Sequence, residues 1–369
     1  MVSVIVPVYR NTTLVEYCLT ALLEHLPTGA EVIVVDDASG LDTAALLRKF
    51  GQVSVVEHQE NKGNTVAYNT GAAAARGDVL AFVDSDVFVP DGALNEFESL
   101  IQRDSKLGAI GSILLYPHDY TIQHAGIAFD QWTVTHLYVG RRLDELELER
   151  TVERQAVTAA FFACRRDIFA QVGGFSETYR DGLEDVEFCL RCRELGLKNL
   201  LTTGIPAMHM ESATRGPYKQ IRRVYNYSVF FSRWAGRFQP DLGQYLRTSA
   251  KRALASWASC GNPTPVINFC PTPNWLELAE PLTESGIRLG TIHNLSGTLA
   301  ETDTVDLFKT VPLAFQRLPS TIVFIVEHFS QLLQNRLWFA WRQRPDIVID
   351  RHANVLTSER FGFSGGLPS

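Results

Sequence analysis

Val79-Leu80-Ala81-Phe82-Val83-Asp84-Ser85-Asp86 is a run of five apolar residues that stops at two carboxylates. An apolar run without polar alternation reads as a strand buried on both faces, the kind found in parallel sheets. Side chains alternate along a strand, so Asp84 and Asp86 fall on the same side where the strand gives way to a loop. Two anions this close repel each other unless a cation shares them. A hard divalent ion held by one or two carboxylates completes its shell with water and substrate phosphates. Taken alone, such a triplet is also compatible with a solvated acidic turn before Pro90.

The residues upstream repeat the pattern. Val2-Ser3-Val4-Ile5-Val6-Pro7-Val8-Tyr9 reads as a second buried strand, ended by Pro7. A helix follows, with Thr13 and Glu16 at capping-box spacing and Val15, Cys18, Leu19, Leu22 and Leu26 on one face. Glu31-Val32-Ile33-Val34-Val35 is a third strand and runs into Asp36-Asp37. A helix over Thr43 to Phe50, a strand over Val53 to Glu57 and a helix over Thr65 to Ala75 then lead to the Asp84 strand. Alternating strands and helices predict an α/β fold with a mostly parallel open sheet, helices on both faces and ligands at the carboxyl ends of the strands. Tyr9, Asp36, Asp37, Asp84 and Asp86 all fall at such ends.

Further segments complete an ordered set: Asn61-Lys62-Gly63 before a helix with Asn69 and Gly71, Arg76-Gly77-Asp78, Gln123-His124-Ala125-Gly126, Gly173-Gly174-Phe175, Glu184-Asp185-Val186-Glu187 with Leu190-Arg191, and His209-Met210-Glu211-Ser212 followed by Arg215-Gly216. With the opening strand and the Asp-Asp-x-Ser turn, they make residues 2 to 240 resemble glycosyltransferase family 2 and its GT-A nucleotide-sugar fold, the rhamnosyltransferase-like enzymes of surface polysaccharide assembly above all. The resemblance implies that Asp37 accepts a hydrogen bond from the nucleotide base with Asp36 as its structural partner, and that Pro7 and Tyr9 pack near the base. Lys62 and Arg215 would reach the phosphates. Asp84-Ser85-Asp86 would face the ribose, the diphosphate and a metal, and His209 would complete the metal site with Asp84 and Asp86. Imidazole with carboxylate suits Mn2+ somewhat better than Mg2+, and either ion is compatible.

Glu184 and Asp185 open an amphipathic helix that runs to Leu195 and is stopped by Gly196. Asp185 shares a face with Phe188, Cys189 and Cys192, which aims it inward. Helix capping by acids at a positive helix end accounts for such a pair by itself. The resemblance implies instead that Asp185 is the general base deprotonating an acceptor hydroxyl and that Glu184 orients an acceptor or the loop, with inversion at the anomeric carbon. The chain departs from the family pattern at Thr158-Ala159-Ala160, Glu187 and Asn64-Thr65. His124 is compatible with the acceptor side and with plain packing.

At 369 residues, 46% hydrophobic and 20% charged, the chain can bury a large core and is expected to hold more than one domain. A net charge of −7 argues against a nucleic-acid role, which needs a basic surface. The six cysteines are scattered and suggest no disulfide framework, and Cys189-x-x-Cys192 reads as buried thiols rather than zinc ligands. Met1 leads straight into a strand and no stretch is long enough to span a bilayer, so a cytoplasmic location is expected. Bases and aromatics from Tyr218 to Arg237 are compatible with peripheral contact at an anionic membrane, and more often such a stripe packs on its own domain.

A composition change after Trp257 and a linker at Asn262-Pro263-Thr264-Pro265 divide the chain into an expected GT-A domain, 1–258, and a smaller α/β domain, 262–369. Strands are expected at Val266 to Cys270, Thr321 to Val326 and Asp346 to Ile349, with a helix from His328 to Arg342. The leading expectation is a metal-dependent transferase that moves a hexosyl or deoxyhexosyl group from a nucleoside diphosphate sugar to a glycan or lipid-linked saccharide. Nucleotidyl transfer and a non-catalytic glycan-binding scaffold are the alternatives. The first lacks a basic glycine-rich loop near the amino terminus, and the second has no physical need for Asp84, Asp86, Asp185 and His209 together.

Overall fold

Parallel strands need crossover connections, and the amino-terminal part of the chain supplies them. Strands β1 (Val2–Val8), β2 (Glu31–Asp36), β3 (Val53–Glu57) and β4 (Val79–Val83) alternate with helices α1 (Thr12–Glu24), α2 (Leu41–Leu47) and α3 (Asn64–Ala74). β1 pairs in parallel with β2 on one side and β4 on the other, and β2 pairs with β3. β1, β2 and β4 are central strands covered on both faces, which is why they read as uninterrupted apolar runs. The computed structural model describes residues 1–130, 133–139, 141–146, 148–179, 182–210, 219–242, 245, 264–270, 289–295, 307–311, 315, 322–327, 335, 338 and 346–350.

The remaining elements up to Trp234 are β5 (Val87–Phe88), α4 (Ala93–Arg103), β6 (Leu107–Leu115), β7 (Ile122–His124), β8 (Ile127–Asp130), β9 (Thr133–His136), β10 (Thr151–Arg154), β11 (Phe161–Arg165), α5 (Arg166–Val172), α6 (Glu184–Glu194), β12 (Lys198–His209) and α7 (Lys219–Trp234), with β8 and β9 forming a two-stranded sheet of their own. The main sheet runs β10-β12-β6-β11-β4-β1-β2-β3, with β5 added to β12 and β7 to β6. β11 is antiparallel to both of its neighbours, β4 and β6, so the parallel series is interrupted once in the middle of the sheet. The strand order turns back at β1 and β4, and the space outside the carboxyl ends of strands at such a point is the usual ligand position in open α/β sheets.

Three local expectations are corrected. Pro7 does not end β1 but lies inside it opposite Val35. The β1–β4 pairing finishes at Ile5–Phe82, so on that side Pro7 has no ladder bond to lose. Helix α1 is capped by Asn11, whose side chain accepts from the Leu14 N–H at 3.5 Å, and Thr13 lies within its first turn. Helix α2 starts directly after Gly40, whose φ of 102° suits glycine, and finishes before Phe50 in a tight turn.

One sheet face packs against α1, α2 and α4 through Val4, Val6, Leu19, Leu22, Leu94 and Phe97 among others. On the other face Phe82, Phe162, Phe169, Phe175 and Phe188 form an aromatic cluster with ring centroids 5.0–5.8 Å apart. Tyr68 of α3 stands edge-on against Phe82 at 5.2 Å, so its ring is part of that cluster. The chain divides into two compact units, Met1–Ile127 with Val139–Phe238, and Ala128–Tyr138 with Gln239–Ser369.

In the second unit, β13 (Thr264–Asn268), β14 (Leu289–Asn294), β15 (Val323–Val326) and β16 (Ile347–Asp350) form an all-parallel sheet in the order β14-β13-β15-β16. Ile267, Phe269, Phe324, Val326 and Trp338 share its core. Thr264 and Pro265, read from sequence as linker, belong to β13, and β14 had no expectation. The helix expected over His328 to Arg342 lies outside the described residues except at 335 and 338. Among the described residues no helix is long and apolar enough to cross a membrane.

The seat of α3 on the sheet depends on Gly71. A Cβ there would meet Ile5 Cγ2 at 2.3 Å and Val35 Cγ2 at 3.2 Å, and both neighbours are fully buried. Gly71→Ala is expected to destabilise the fold by ~1–3 kcal/mol through overpacking, outweighing a helix-propensity gain of up to ~1 kcal/mol. Urea denaturation measures this against Gly51→Ala, where nothing lies within 4 Å and little change is expected.

Candidate functional site

After β4 the chain turns, with the Val87 N–H donating to the Asp84 carbonyl at 3.0 Å. The short strand β5 then pairs with the end of β12, Val87 against His209 and Phe88 against Met208. The Met210 N–H donates to the Asp86 carbonyl at 3.1 Å. These bonds bring Asp84, Asp86 and His209 together, and one ligand atom from each lies within 4.8 Å of the others. His209 Nε2 is 3.1 Å from Asp86 Oδ1 and 4.0 Å from Asp84 Oδ2.

Helix α3 supports the first carboxylate. Tyr68 donates its hydroxyl to Asp84 Oδ1 at 2.7 Å and Asn64 Nδ2 donates to the same oxygen at 2.9 Å, leaving Oδ2 turned toward His209. Burial and then the charge of Asp86 push the Asp84 carboxyl up, against the pull of His209, Tyr68 and Asn64. Beneath the turn, Cys18 Sγ is 3.7 Å from the Asp84 carbonyl, and burial followed by the charges of Asp86 and Asp84 pushes its thiol up to about 12. It is therefore a neutral packing group, not a ligand. Two carboxylate oxygens and an imidazole nitrogen this close together fit a divalent cation.

Behind the imidazole stands Gln123 of β7, 2.6 Å from His209 Nδ1 through Oε1 and 3.1 Å from the His209 carbonyl through Nε2. His124, beside it in sequence, is fully buried and its Nε2 accepts from the Gly126 and Thr158 N–H groups at 3.3 and 3.4 Å. Packing is thus its role in the fold.

The ends of β1 and β2 form the adjoining wall. Asp36 is buried and its Oδ1 accepts from the Ser39 N–H at 2.9 Å. Asp37 Oδ1 accepts from the Lys62 N–H at 2.8 Å and Oδ2 from the Gly63 N–H at 2.8 Å, so this carboxylate ties the Asn61-Lys62-Gly63 loop to the sheet. His58 completes the tie, bridging Asp37 Oδ1 at 2.7 Å and Thr70 Oγ1 at 2.9 Å. A carboxylate offers about four acceptor positions, so one on Oδ2 stays open. Pro7 is buried, Tyr9 is half-buried with the Arg10 guanidinium 4.9 Å over its ring, and the Lys62 side chain is exposed. Arg10, Asn11 and Ala38 have φ of 60°, 50° and 60°, left-handed backbone that concentrates at functional loops.

On the other flank, Glu184 and Asp185 begin α6 behind Leu183, which has a φ of 75°. Glu184 Oε2 accepts from the Gly182 N–H at 2.7 Å. Asp185 Oδ1 accepts from the Val186 N–H at 2.8 Å and Oδ2 from the Ala159 N–H at 2.9 Å. Ala160, the next residue, accepts from the Asp84 N–H at 2.9 Å, and the Ala159 carbonyl accepts from Tyr68 at 3.1 Å. Two consecutive alanines therefore link Asp185 to Asp84. Cys189 and Cys192 are buried free thiols, as expected. Ser85 sits half-buried between the two site carboxylates, and Arg215 lies outside the described residues.

Residues 3–173 match the family model described as glycosyl transferase family 2. Over those residues the chain is similar to glycosyl transferase family 2. The uncharacterized protein y4gI of Sinorhizobium fredii is 32% identical over 254 residues, covering 63% of this chain and 27% of that protein. The O-antigen biosynthesis protein RfbC of Myxococcus xanthus is 30% identical over 227 residues, covering 58% of this chain and 18% of its own. This chain thus corresponds to a fraction of each relative's length. A solved structure of GalNAc-T7 with UDP, GalNAc and Mn2+ superposes with a TM-score of 0.52 at 14% identity, over 78% of this chain and 55% of that one, which is a likeness of fold.

Sequence reasoning passed over Asn64, Tyr68, His58 and Gln123 as supports. Asn64 and Tyr68 are four apart in α3 and so share the face that meets Asp84, a spacing open to inspection once the helix is placed. His58 and Gln123 carry no such signal, because their partners are 21 and 86 residues away. Tyr68→Phe removes a bond to a charged acceptor while keeping the ring in its aromatic cluster. It is expected to cost ~1.5–3 kcal/mol in chemical denaturation, and an unchanged midpoint would show that the hydroxyl does not support Asp84.

Proposed function

We propose that this protein transfers a sugar, with inversion, from a nucleoside diphosphate sugar to a hydroxyl of a glycan or lipid-linked saccharide in surface polysaccharide assembly. The observation that carries this reading is the grouping of Asp84, Asp86 and His209 at the carboxyl edge of the sheet, within reach of one cation. Asp84, Asp86 and His209 would hold Mn2+ or Mg2+, which when bound neutralises the diphosphate leaving group. The likeness of part of the chain to a protein of O-antigen biosynthesis supports the polysaccharide setting.

The residues divide the work by position. Asp37, with one acceptor position open, would take an N–H of the base, while Asp36 and His58 hold its loop. Tyr9 and Pro7 would flank the base, and Lys62 and Arg215 would answer the phosphates. Asp185 is the proposed general base for the acceptor hydroxyl. Its carboxylate is held by two backbone N–H groups at 2.8 and 2.9 Å, which fixes its direction. Glu184 orders the loop before it through Gly182, and Asn226 of α7 donates to the Gly182 carbonyl at 3.0 Å from the other side.

Thermal-shift screening of nucleoside diphosphates, with and without Mn2+, tests the reading. Stabilisation by a nucleoside diphosphate only when Mn2+ is present is the expected result, and no response to any of them would overturn it. Asp86→Ala is expected to abolish that metal-dependent response, because the variant loses both a ligand and a charge. Asp185→Asn keeps size and helix-capping capacity but cannot accept a proton. Its transfer rate is expected to fall by roughly two to four orders of magnitude with nucleotide affinity retained and a modest drop in melting temperature, because one of the two backbone N–H groups loses its acceptor, whereas a purely structural role leaves turnover near that of the parent.

A further inference from the structure

Strand β7 carries one residue more than the segment of β6 it faces. Leu114 pairs with His124 and Leu115 with Ile122, so Gln123 is the extra residue of a β-bulge. Bulges beside functional sites re-aim a side chain, and here the side chain is buried, 6% exposed, against a His209 that is 7% exposed. The amide makes two contacts to one residue. Nε2 donates to the His209 carbonyl at 3.1 Å, and Oε1 lies 2.6 Å from His209 Nδ1.

Those two contacts determine where the imidazole proton sits. A carbonyl oxygen can only accept, so the amide nitrogen must face it, and the amide has one orientation that satisfies both ends. The oxygen is then the atom facing Nδ1. An oxygen has no proton to give, so the hydrogen of that short bond belongs to Nδ1. In the neutral ring Nε2 is left as the lone-pair nitrogen, and it is Nε2 that lies 3.1 Å from Asp86 Oδ1 and 4.0 Å from Asp84 Oδ2. A metal-ligating histidine needs this arrangement: one ring nitrogen protonated and anchored, the other open.

We propose that Gln123 is a positioning residue that holds His209 as its Nδ1–H tautomer with Nε2 aimed between Asp84 and Asp86, and so sets the affinity of the site for a divalent cation. The inference rests on the metal reading given above. Asp84 is oriented by Asn64 and Tyr68 and His209 by Gln123, so two of the three candidate ligands have their direction fixed from behind.

The test titrates Mn2+ alone into the full chain and into two variants, reading bound against free ion by electron paramagnetic resonance. Gln123→Leu removes acceptor and donor together and is expected to weaken Mn2+ binding tenfold to a hundredfold. Gln123→Glu restores an acceptor oxygen at Nδ1 and is expected to bind Mn2+ as tightly as the parent or more so, as carboxylate-backed histidine ligands do. Nitrogen NMR of the metal-free parent, with the ring neutral, is expected to find the His209 proton on Nδ1. A purely structural glutamine predicts parental affinity in the leucine variant, and that result overturns the proposal. Equal weakening in both variants overturns it as well, since the loss would then come from the donor to the backbone. So does a neutral ring with its proton on Nε2. A parent chain that binds no Mn2+ instead removes the metal reading itself.

Discussion

Repulsion between Asp84 and Asp86 is the constraint around which the site is arranged. The fold holds the two carboxylates and the nearly buried imidazole within a few ångströms of one another by backbone bonds that do not depend on the charges. The two-residue strand β5 pairs with the last residues of β12, and the Met210 N–H closes the arrangement on the Asp86 carbonyl. Burial and the neighbouring charge raise Asp84, while Tyr68 and Asn64 bond its Oδ1 and oppose that rise. The unbalanced remainder is what a cation would relieve.

The supports come from elements with large apolar interests elsewhere. Tyr68 places its ring in the phenylalanine cluster and only its hydroxyl at the site, so the position of the donor is fixed by packing. Helix α3 carries Asn64, Tyr68 and Thr70, and therefore links the Asp84 side to the Asp37 side through His58. The site is rigid on this flank because the core beneath it is.

Much of the architecture was legible in the chain because buried parallel strands leave a plain apolar signature. β3 and β4 appear at the residues expected, and α6 starts at Glu184 and gives way before Gly196. The antiparallel insertion of β11 was not legible, since a five-residue apolar strand carries no mark of its direction. Nor was Pro7 inside β1, where the local rule for proline yields to a neighbour strand that has already ended. The grouping of Asp84 and Asp86 follows from their spacing. The approach of His209 is a tertiary fact, and only a resemblance could suggest it. Gln123 stood in one of the motifs, but its contact with His209 depends on one extra residue in a short strand and carried no signal.

Ala159 and Ala160 have a consequence for motion. Asp185 bonds to the N–H of the first, and Asp84 bonds through its own N–H to the carbonyl of the second. The Asp185 carboxylate and the Asp84 main chain are thus anchored to two consecutive residues just ahead of β11. A shift of that short segment is expected to move both anchors together rather than one against the other.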